Sequence, residues 1–457
     1  MRTKDALKRL YILLTAGLLV VCETALALYV LNVYYNPQFR TQLYFRGHVL
    51  MALIFISLLI FSGRVFGGLL VGLRKDTEVI FSHFFTLLFS NTAYYVLMVL
   101  QSLKFPDVLP LAKVFLLEAV FSSLWIAMLG KGYRKLFKPM DVLLIYQRGS
   151  AGELTKRLSS RTDRLNIIDR ISADEDMRDI KKKIDSHNTV MLWDISTSKR
   201  NSIFKYCYEN SKRIYSAPNI SDIILNGAEP VNLFDTPLLL TEANPFEYEE
   251  RVIKRLFDII LSLILLIILS PLMLLTALVI KLSDGGPVFY RQIRCTKNAR
   301  EFSMLKFRSM IVDAEKNGVA VLAREKDPRI TPVGSVIRKL RIDELPQLFN
   351  VLKGDMSFVG PRPERPEFIK KYIEDMPEFS YRMKIRAGIT GYAQLYGKYN
   401  TKPYDKLKFD LYYMEQYSLW LDIRLIILTV KILFTKESTE GAKEDVSAPG
   451  IDNNTGS

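Results

Sequence analysis

Cysteine is scarce in this chain: Cys22, Cys207 and Cys295 are the three in 457 residues, far apart and odd in number. That leaves no disulfide framework and no cysteine-based zinc spacing, and it places the polar parts in a reducing compartment. Histidine is equally rare, and nothing around His187 suggests a ligand set. No complete G-x-G-x-x-G phosphate loop occurs. No basic run is interleaved with aromatics, so no nucleic-acid partner is expected. The first apolar run lacks a small-residue cleavage pattern and reads as an uncleaved span rather than a signal peptide.

What the chain has in quantity is apolar residues, 49%, and positive charge, a formal net +15. Residues 251–436 carry about 13 of that excess. Anionic lipid or a phosphate-rich substrate would account for it. Four apolar stretches, near 10–34, 47–72, 79–100 and 110–130, are each long enough to cross a bilayer as a helix. Arg2, Lys4, Lys8 and Arg9 precede the first, Arg74 and Lys75 follow the second, and Lys131, Arg134, Lys135 and Lys138 follow the fourth. The positive-inside rule puts both ends of this bundle on the cytoplasmic side. Glu118 and Lys113 lie inside the fourth stretch, as functional charges or a packed pair.

A fifth apolar stretch, 257–280, has Ser270-Pro271 at its middle and basic residues at both ends: Arg251, Lys254 and Arg255, then Lys281, Arg291 and Arg294. Proline removes a donor and clashes with the carbonyl four residues back. A broken helix that enters the membrane and returns keeps both basic clusters on one face. The expectation is therefore a re-entrant hairpin over 254–282, hinged at Ser270 and Pro271. Residues 419–434 read as a helix lying in the interface.

The domain reading is a four-helix transmembrane bundle at 1–138, a soluble module at 139–248, a catalytic domain at 249–436 and a disordered tail at 437–457. In the module, strand patterns at 141–146 and 189–193, a turn with Gly149 and Gly152, and helical stretches at 154–159 and 203–210 suggest a degenerate Rossmann-like α/β fold. Two glycines are too few for a phosphate cradle, so no bound cofactor is expected there.

The chemistry lies between about 254 and 397. Asp343 and Glu344 are adjacent acids in a basic stretch with Arg338 and Arg341. Adjacent side chains point apart, so the two do different work: one can attack phosphorus while the other binds a metal or handles a proton. The planar fork of arginine suits phosphate oxygens. The turn Val359-Gly360-Pro361-Arg362-Pro363 has a stiff backbone that can hold Arg362 in one pose.

Six ordered motifs carry a resemblance: Lys254-Arg255-Leu256-Phe257-Asp258, Ser270-Pro271, Gly286 to Gln292, Lys306-Phe307-Arg308-Ser309-Met310, Arg341 to Gln347, and Ser357 to Pro363. Residues 251–436 resemble the bacterial sugar transferase family, the monotopic polyprenyl-phosphate phosphoglycosyl transferases. The bundle and module resemble the large members that begin capsule, exopolysaccharide or O-antigen repeat units. The resemblance implies that Asp343 attacks the sugar-bearing phosphate of a UDP-sugar, releasing UMP. Undecaprenyl phosphate then takes the phosphosugar from Asp343. It further implies that Glu344 helps bind Mg²⁺, and that Arg341, Arg362, Lys306 and Arg308, with Arg338 and Pro361 nearby, form the phosphate site. The expected location is the bacterial inner membrane, multi-pass, with the catalytic domain on the cytoplasmic face and a homodimer as a further expectation. Two competing readings are a glycosyltransferase moving sugar alone, which would release UDP, and a non-enzymatic scaffold of polysaccharide assembly.

Overall fold

The computed structural model describes residues 2–147, 165–233, 235–242, 244–312, 327–397 and 401–433. The chain divides into two compact units, Met1–Ala217 and Pro218–Ser457.

The first unit opens with four long helices, α1 (Arg2–Val30), α2 (Phe45–Phe66), α3 (Asp76–Ser102) and α4 (Leu109–Leu136). With Tyr248–Asp284 they make five helices long and apolar enough to cross a membrane. Their core gathers Ala27, Tyr35, Phe55, Leu59, Leu87, Tyr94 and Met98. Outward-facing leucines such as Leu13, Leu100, Leu117 and Leu124 stay exposed, as a lipid-facing surface requires. Polar side chains inside the bundle are bonded to one another across helices. His83 Nε2 lies 2.6 Å from Glu23 Oε1, and Asn91 donates to Glu118 at 2.8 Å. Glu118 therefore answers to α3, while Lys113 on its own helix is exposed.

Four parallel strands follow in the order β2-β1-β3-β4: β1 (Met140–Tyr146), β2 (Leu165–Ser172), β3 (Thr189–Trp193) and β4 (Arg213–Ser216). Helices α5 (Met177–Ser186) and α6 (Thr197–Glu209) connect the later strands. Val142, Leu143, Leu144 and Ile145 are all fully buried, because a central parallel strand is covered on both faces. The Gly149–Gly152 turn, the helical stretch at 154–159 and the tail at 437–457 lie outside the described residues.

The second unit begins before the expected boundary at 249. Ile223 of α7 (Ile220–Asn226) and Phe246 share a core with Phe358, Phe379, Leu411 and Leu425. A hairpin of β5 (Glu229–Leu233) and β6 (Thr236–Leu240) precedes the long helix α8 (Tyr248–Asp284). Then come β7 (Phe289–Cys295), β8 (Glu301–Phe307), α9 (Pro332–Lys339), α10 (Gln347–Lys353), β9 (Met356–Val359), α11 (Pro366–Asp375) and β10 (Ala387–Thr390). The short α12 (Tyr392–Tyr396), α13 (Pro403–Glu415) and α14 (Leu419–Leu433) close the unit. β7 and β8 are antiparallel, and β9 and β10 parallel.

Helix α8 carries Pro271 inside a run of 37 helical residues. Proline cannot donate to the carbonyl of Ile267, and the Ser270 hydroxyl donates to that oxygen at 2.9 Å instead. Burial along α8 is split. Lys254, Asp258 and Ser262 are buried in the first half, and Met273, Thr276 and Ile280 in the second. Between them lie exposed Leu263, Ile264, Ile267, Ile268 and Leu272.

Both halves are anchored in the second unit. In the first half, Lys254 Nζ sits 2.5 Å from Asp422 Oδ2, and the Tyr413 hydroxyl donates to Asp422 Oδ1 at 2.7 Å. Asp258 accepts from Ser357 Oγ and Phe358 N, each at 3.1 Å. Arg255 caps the carbonyls of Val351 and Leu352 at 2.6 and 2.7 Å. In the second half, Met273 and Ile280 pack with Phe307 and Ile337, and Asp284 pairs with Arg308.

The Lys254–Asp422 pair is almost wholly out of water, so removing one member strands the other. Lys254→Met should lower stability by roughly 3–5 kcal/mol, with part recovered on adding Asp422→Asn. Thermal unfolding of the purified protein checks this; a single variant as stable as the parent would contradict it.

Candidate active site

The site is built on a tight turn between two short helices. Thr331 caps α9, its hydroxyl accepting from Gly334 N at 2.9 Å, and Pro332 occupies the first turn. The helix ends where Arg341 turns left-handed at φ 57°. A residue with a Cβ holds that conformation only when its surroundings compel it. A single 3₁₀ turn, Ile342–Glu344, follows, and Leu345 N closes it on Ile342 O at 3.1 Å before α10 begins. This short reversal sets the two acids beside the end of β8. Asn350 of α10 joins that strand through its side chain, accepting from Leu305 N at 2.9 Å and donating to Ser303 O at 2.8 Å.

Glu344 is held by three cations from three elements. Lys306 Nζ of β8 is 3.2 Å from Oε1, Arg362 Nη2 is 3.5 Å from the same oxygen, and Arg341 Nη1 is 3.5 Å from Oε2. Burial opposes ionisation of Glu344, but the charges of Lys306, Arg362 and Arg341 outweigh it and hold its carboxyl below the usual range. Asp343 is different. It is 9% exposed, and its carboxylate accepts no hydrogen bond from any described residue. Burial first, then the negative charge of Glu344, push its carboxyl above the ordinary aspartate range, against the pull of Lys306, Arg338 and Arg341. A desolvated carboxylate without donors, set in a field of fixed positive charge, is poised to attack an electrophile that arrives with its own negative charge.

Arg362 is presented by the turn at 360–363, which rests on the β9–β10 pair. Gly360 N donates to Thr390 O and Gly388 N to Pro361 O, both at 2.9 Å. The backbones approach so closely that a Cβ on Gly388 would lie 2.1 Å from Gly360 N. Two arginines hold the carbonyls behind the turn: Arg382 donates to Arg362 O and Arg294 to Pro363 O, each at 3.2 Å. Arg382 is buried against Asp410 at 2.9 Å and Glu364 at 3.7 Å.

Of the residues singled out in the sequence, Asp343, Glu344, Arg341, Lys306 and Arg362 come together. Arg338 lies on the last turn of α9, close enough for its charge to act on Asp343. Pro361 contributes its carbonyl to the turn rather than a ligand group. Arg308 is drawn away to Asp284 at the end of α8, and Ser270 and Pro271 sit at mid-helix. The sequence reading missed Arg382, Asp410, Arg294 and Glu364, which are scattered over more than a hundred positions and meet only in the fold. It also missed the roles of Lys254 and Asp258. Their i, i+4 spacing on a helix running into an apolar stretch is a usable signal of buried, paired charge.

Among the described residues no group of three or more His, Cys, Asp or Glu side chains forms a metal cage. The donor set that exists, Asp343 and Glu344, fits the mode in which Mg²⁺ takes one or two carboxylates and completes its shell with water and substrate phosphate.

A buried carboxylate on a tight turn, a neighbouring acid locked among cations and a long apolar helix thus share one α/β unit. Residues 249–436 match the family model described as bacterial sugar transferase. An uncharacterized sugar transferase of Bacillus subtilis, EpsL, is 37% identical over 189 residues, covering 41% of this chain and 91% of the relative. The chain belongs to the bacterial sugar transferase family. It is 47% identical over 186 residues to an Aeromonas hydrophila protein named UDP-N-acetylgalactosamine-undecaprenyl-phosphate N-acetylgalactosaminephosphotransferase, over 40% of this chain and 44% of that one. It is 39% identical over 211 residues to an Escherichia coli protein named UDP-glucose:undecaprenyl-phosphate glucose-1-phosphate transferase, over 45% of this chain and 44% of that one. The match thus spans less than half the length of these two relatives.

Gly388→Ala should displace the Arg362 turn, because the new methyl meets backbone rather than a flexible side chain. The expected result is at least a tenfold loss of activity in a chain that still inserts and folds, read by turnover alongside thermal unfolding. Unchanged turnover would show that the turn's position is immaterial.

Proposed function

We propose that the protein transfers a sugar-1-phosphate from a UDP-sugar to undecaprenyl phosphate, the first step in building a polysaccharide repeat unit. The observation that carries this reading is the pairing of an unbonded, buried Asp343 with Glu344 fixed among Lys306, Arg341 and Arg362. The relatives' names, which pair a UDP-sugar with undecaprenyl phosphate, support the substrate classes.

Asp343 attacks the sugar-bearing phosphorus of the donor. The bond from that phosphorus to the bridging oxygen breaks, and UMP leaves with the electron pair. The sugar phosphate is then an acyl phosphate on Asp343. A phosphate oxygen of the lipid attacks the same phosphorus, the bond to Asp343 breaks, and the carboxylate is restored. Two displacements at one carboxylate let a water-soluble donor and a lipid acceptor use the same place in turn. Lys306, Arg341 and Arg362 offset the charge that gathers on the phosphate oxygens. Glu344 fixes those three cations before the donor arrives, so little reorganisation remains at the moment of reaction. Mg²⁺, held by Glu344 with Asp343 beside it, would supply further charge neutralisation at the phosphates. Arg308 supports the floor of the site through Asp284 and has no part in phosphate binding in this reading.

The acceptor's phosphate lies at the membrane surface, so the site belongs there too. In our reading α8 enters the bilayer and returns, bending where Pro271 removes a hydrogen bond. Two observations support it: both halves are anchored in one unit, and the stretch between the anchors exposes Leu263, Ile264, Ile267, Ile268 and Leu272. A straight helix of this length would be about 55 Å long, well beyond a hydrocarbon core of roughly 30 Å. The catalytic part then sits on the cytoplasmic face, with α14 along the interface.

Asp343→Asn should abolish turnover, by at least a thousandfold, while insertion persists. Mass spectrometry of the parent incubated with donor alone should find sugar phosphate on the peptide holding Asp343 and UMP in solution. Release of UDP, or a peptide that stays unmodified while product forms, rules the scheme out. For topology, a cysteine at the exposed Asn298 should resist a membrane-impermeant maleimide added to intact cells and react after lysis. Labelling from outside would make α8 a span.

A further inference from the structure

At the end of the β7–β8 hairpin away from Lys306, positive charge accumulates around few acids. Cys295 pairs with Glu301 there, whereas Lys306 pairs with Tyr290 at the other end. Arg300 and Lys306 are thus separated by about 20 Å of strand, so this is not the site of Asp343. Ala387 N donates to Thr296 Oγ1 at 3.1 Å, and Thr296 Oγ1 donates to Asp355 O at 2.7 Å. These two bonds bring Lys297 and Arg386 to one place. The charges of Arg251 and Arg386 act on Lys297, and those of Arg255 and Arg300 on Arg386.

Of the nearby acids, Asp355 pairs with Arg300 at 2.9 Å and Lys353 at 3.4 Å, while Asp258 accepts from Ser357 and Phe358 at one oxygen and its charge partly offsets the arginines around Arg386. Among the described residues no hydrogen bond or ion pair engages the side chain of Lys297 or Arg386, although both are partly buried. Burial and the neighbouring arginines depress the basicity of Lys297. Two shielded cations with donors unused, ringed by further cations, are complementary to an anion.

The adjoining surface names the kind of anion. Arg251 and Arg255 lie on the first turns of α8, and the flank of the helix beside Arg255 continues into Ile259, half-buried, and Leu263, 48% exposed. At 1.5 Å per residue, Arg255 and Leu263 are about 12 Å apart along the axis. A ligand that satisfies both chemistries has an anionic head and an apolar body. We propose that Lys297 and Arg386, at the base of α8, form a seat for the headgroup of an anionic phospholipid whose acyl chains lie along the exposed leucines and isoleucines of that helix. Such a lipid would hold the catalytic unit on the membrane in a fixed orientation, at a place separate from the acceptor lipid.

The test uses the full-length protein, delipidated in detergent and titrated by native mass spectrometry with phosphatidylglycerol or phosphatidylcholine. The parent should bind phosphatidylglycerol more tightly. K297Q/R386Q should lose roughly thirty-fold of that preference, and K297R/R386K should keep it. If the glutamine double variant fails to fold, K297Q alone, on an outer turn, should lose about fivefold. Inorganic phosphate at millimolar concentration should not displace phosphatidylglycerol. An unchanged preference in a folded glutamine variant overturns the proposal. So does displacement by inorganic phosphate, which would mark a site for a free anion.

Discussion

Glu344 gathers Lys306 from a strand, Arg341 from a left-handed residue and Arg362 from a glycine-braced turn. Each of those cations alone would be repelled by the other two. Their common carboxylate lets them stand within reach of one small volume before any phosphate enters it. In the proposed reaction the two adjacent acids divide the work. The one that organises the cations is too strongly held to be the nucleophile, and the one proposed to attack depends on those cations for a field that favours attack on an anionic phosphate. The strained backbone at Arg341 is part of the same constraint, since it lets a helix stop and both acids follow within three residues.

Behind this front lies a second tier of buried charge. Arg382 and Arg294 fasten the carbonyls of the Arg362 turn, and Asp410 and Glu364 balance them. Lys254, Asp422, Tyr413 and Asp258 do the corresponding work for the first half of α8. Charged groups so far from water are costly unless paired and hydrogen-bonded. Their use here fits a unit that must keep an exact relation between a membrane helix and a polar reaction site, which apolar packing alone specifies less sharply.

Much of this was legible in the residues. Apolar length marked the helices of the bundle, because lipid imposes a minimum run on any span. The strands at 141–146 and 189–193 stood out as short apolar runs bounded by polar residues. Asp343, Glu344, Arg341 and the Arg362 turn stood out because acids in a basic stretch and a stiff Gly-Pro turn are local patterns, whereas the meeting of Arg362 with Glu344 is the work of the fold. Legibility failed where contact depends on chain return. Arg308, two residues after Lys306 and just past the end of β8, meets Asp284 instead. Arg382 and Asp410 have no local pattern. At Pro271 the residues marked where the helix loses a hydrogen bond, but not that the hydroxyl of Ser270 meets the freed carbonyl of Ile267.

Strand β8 ends at Phe307, between two cations, Lys306 and Arg308, that go to different partners. One grips the acid of the reaction turn, and the other grips the last residue of the membrane helix, with Phe307 wedged against that helix between them. About seven ångströms of backbone therefore join the turn that holds Asp343 and Glu344 to the end of the long helix, and neither can shift far without the other.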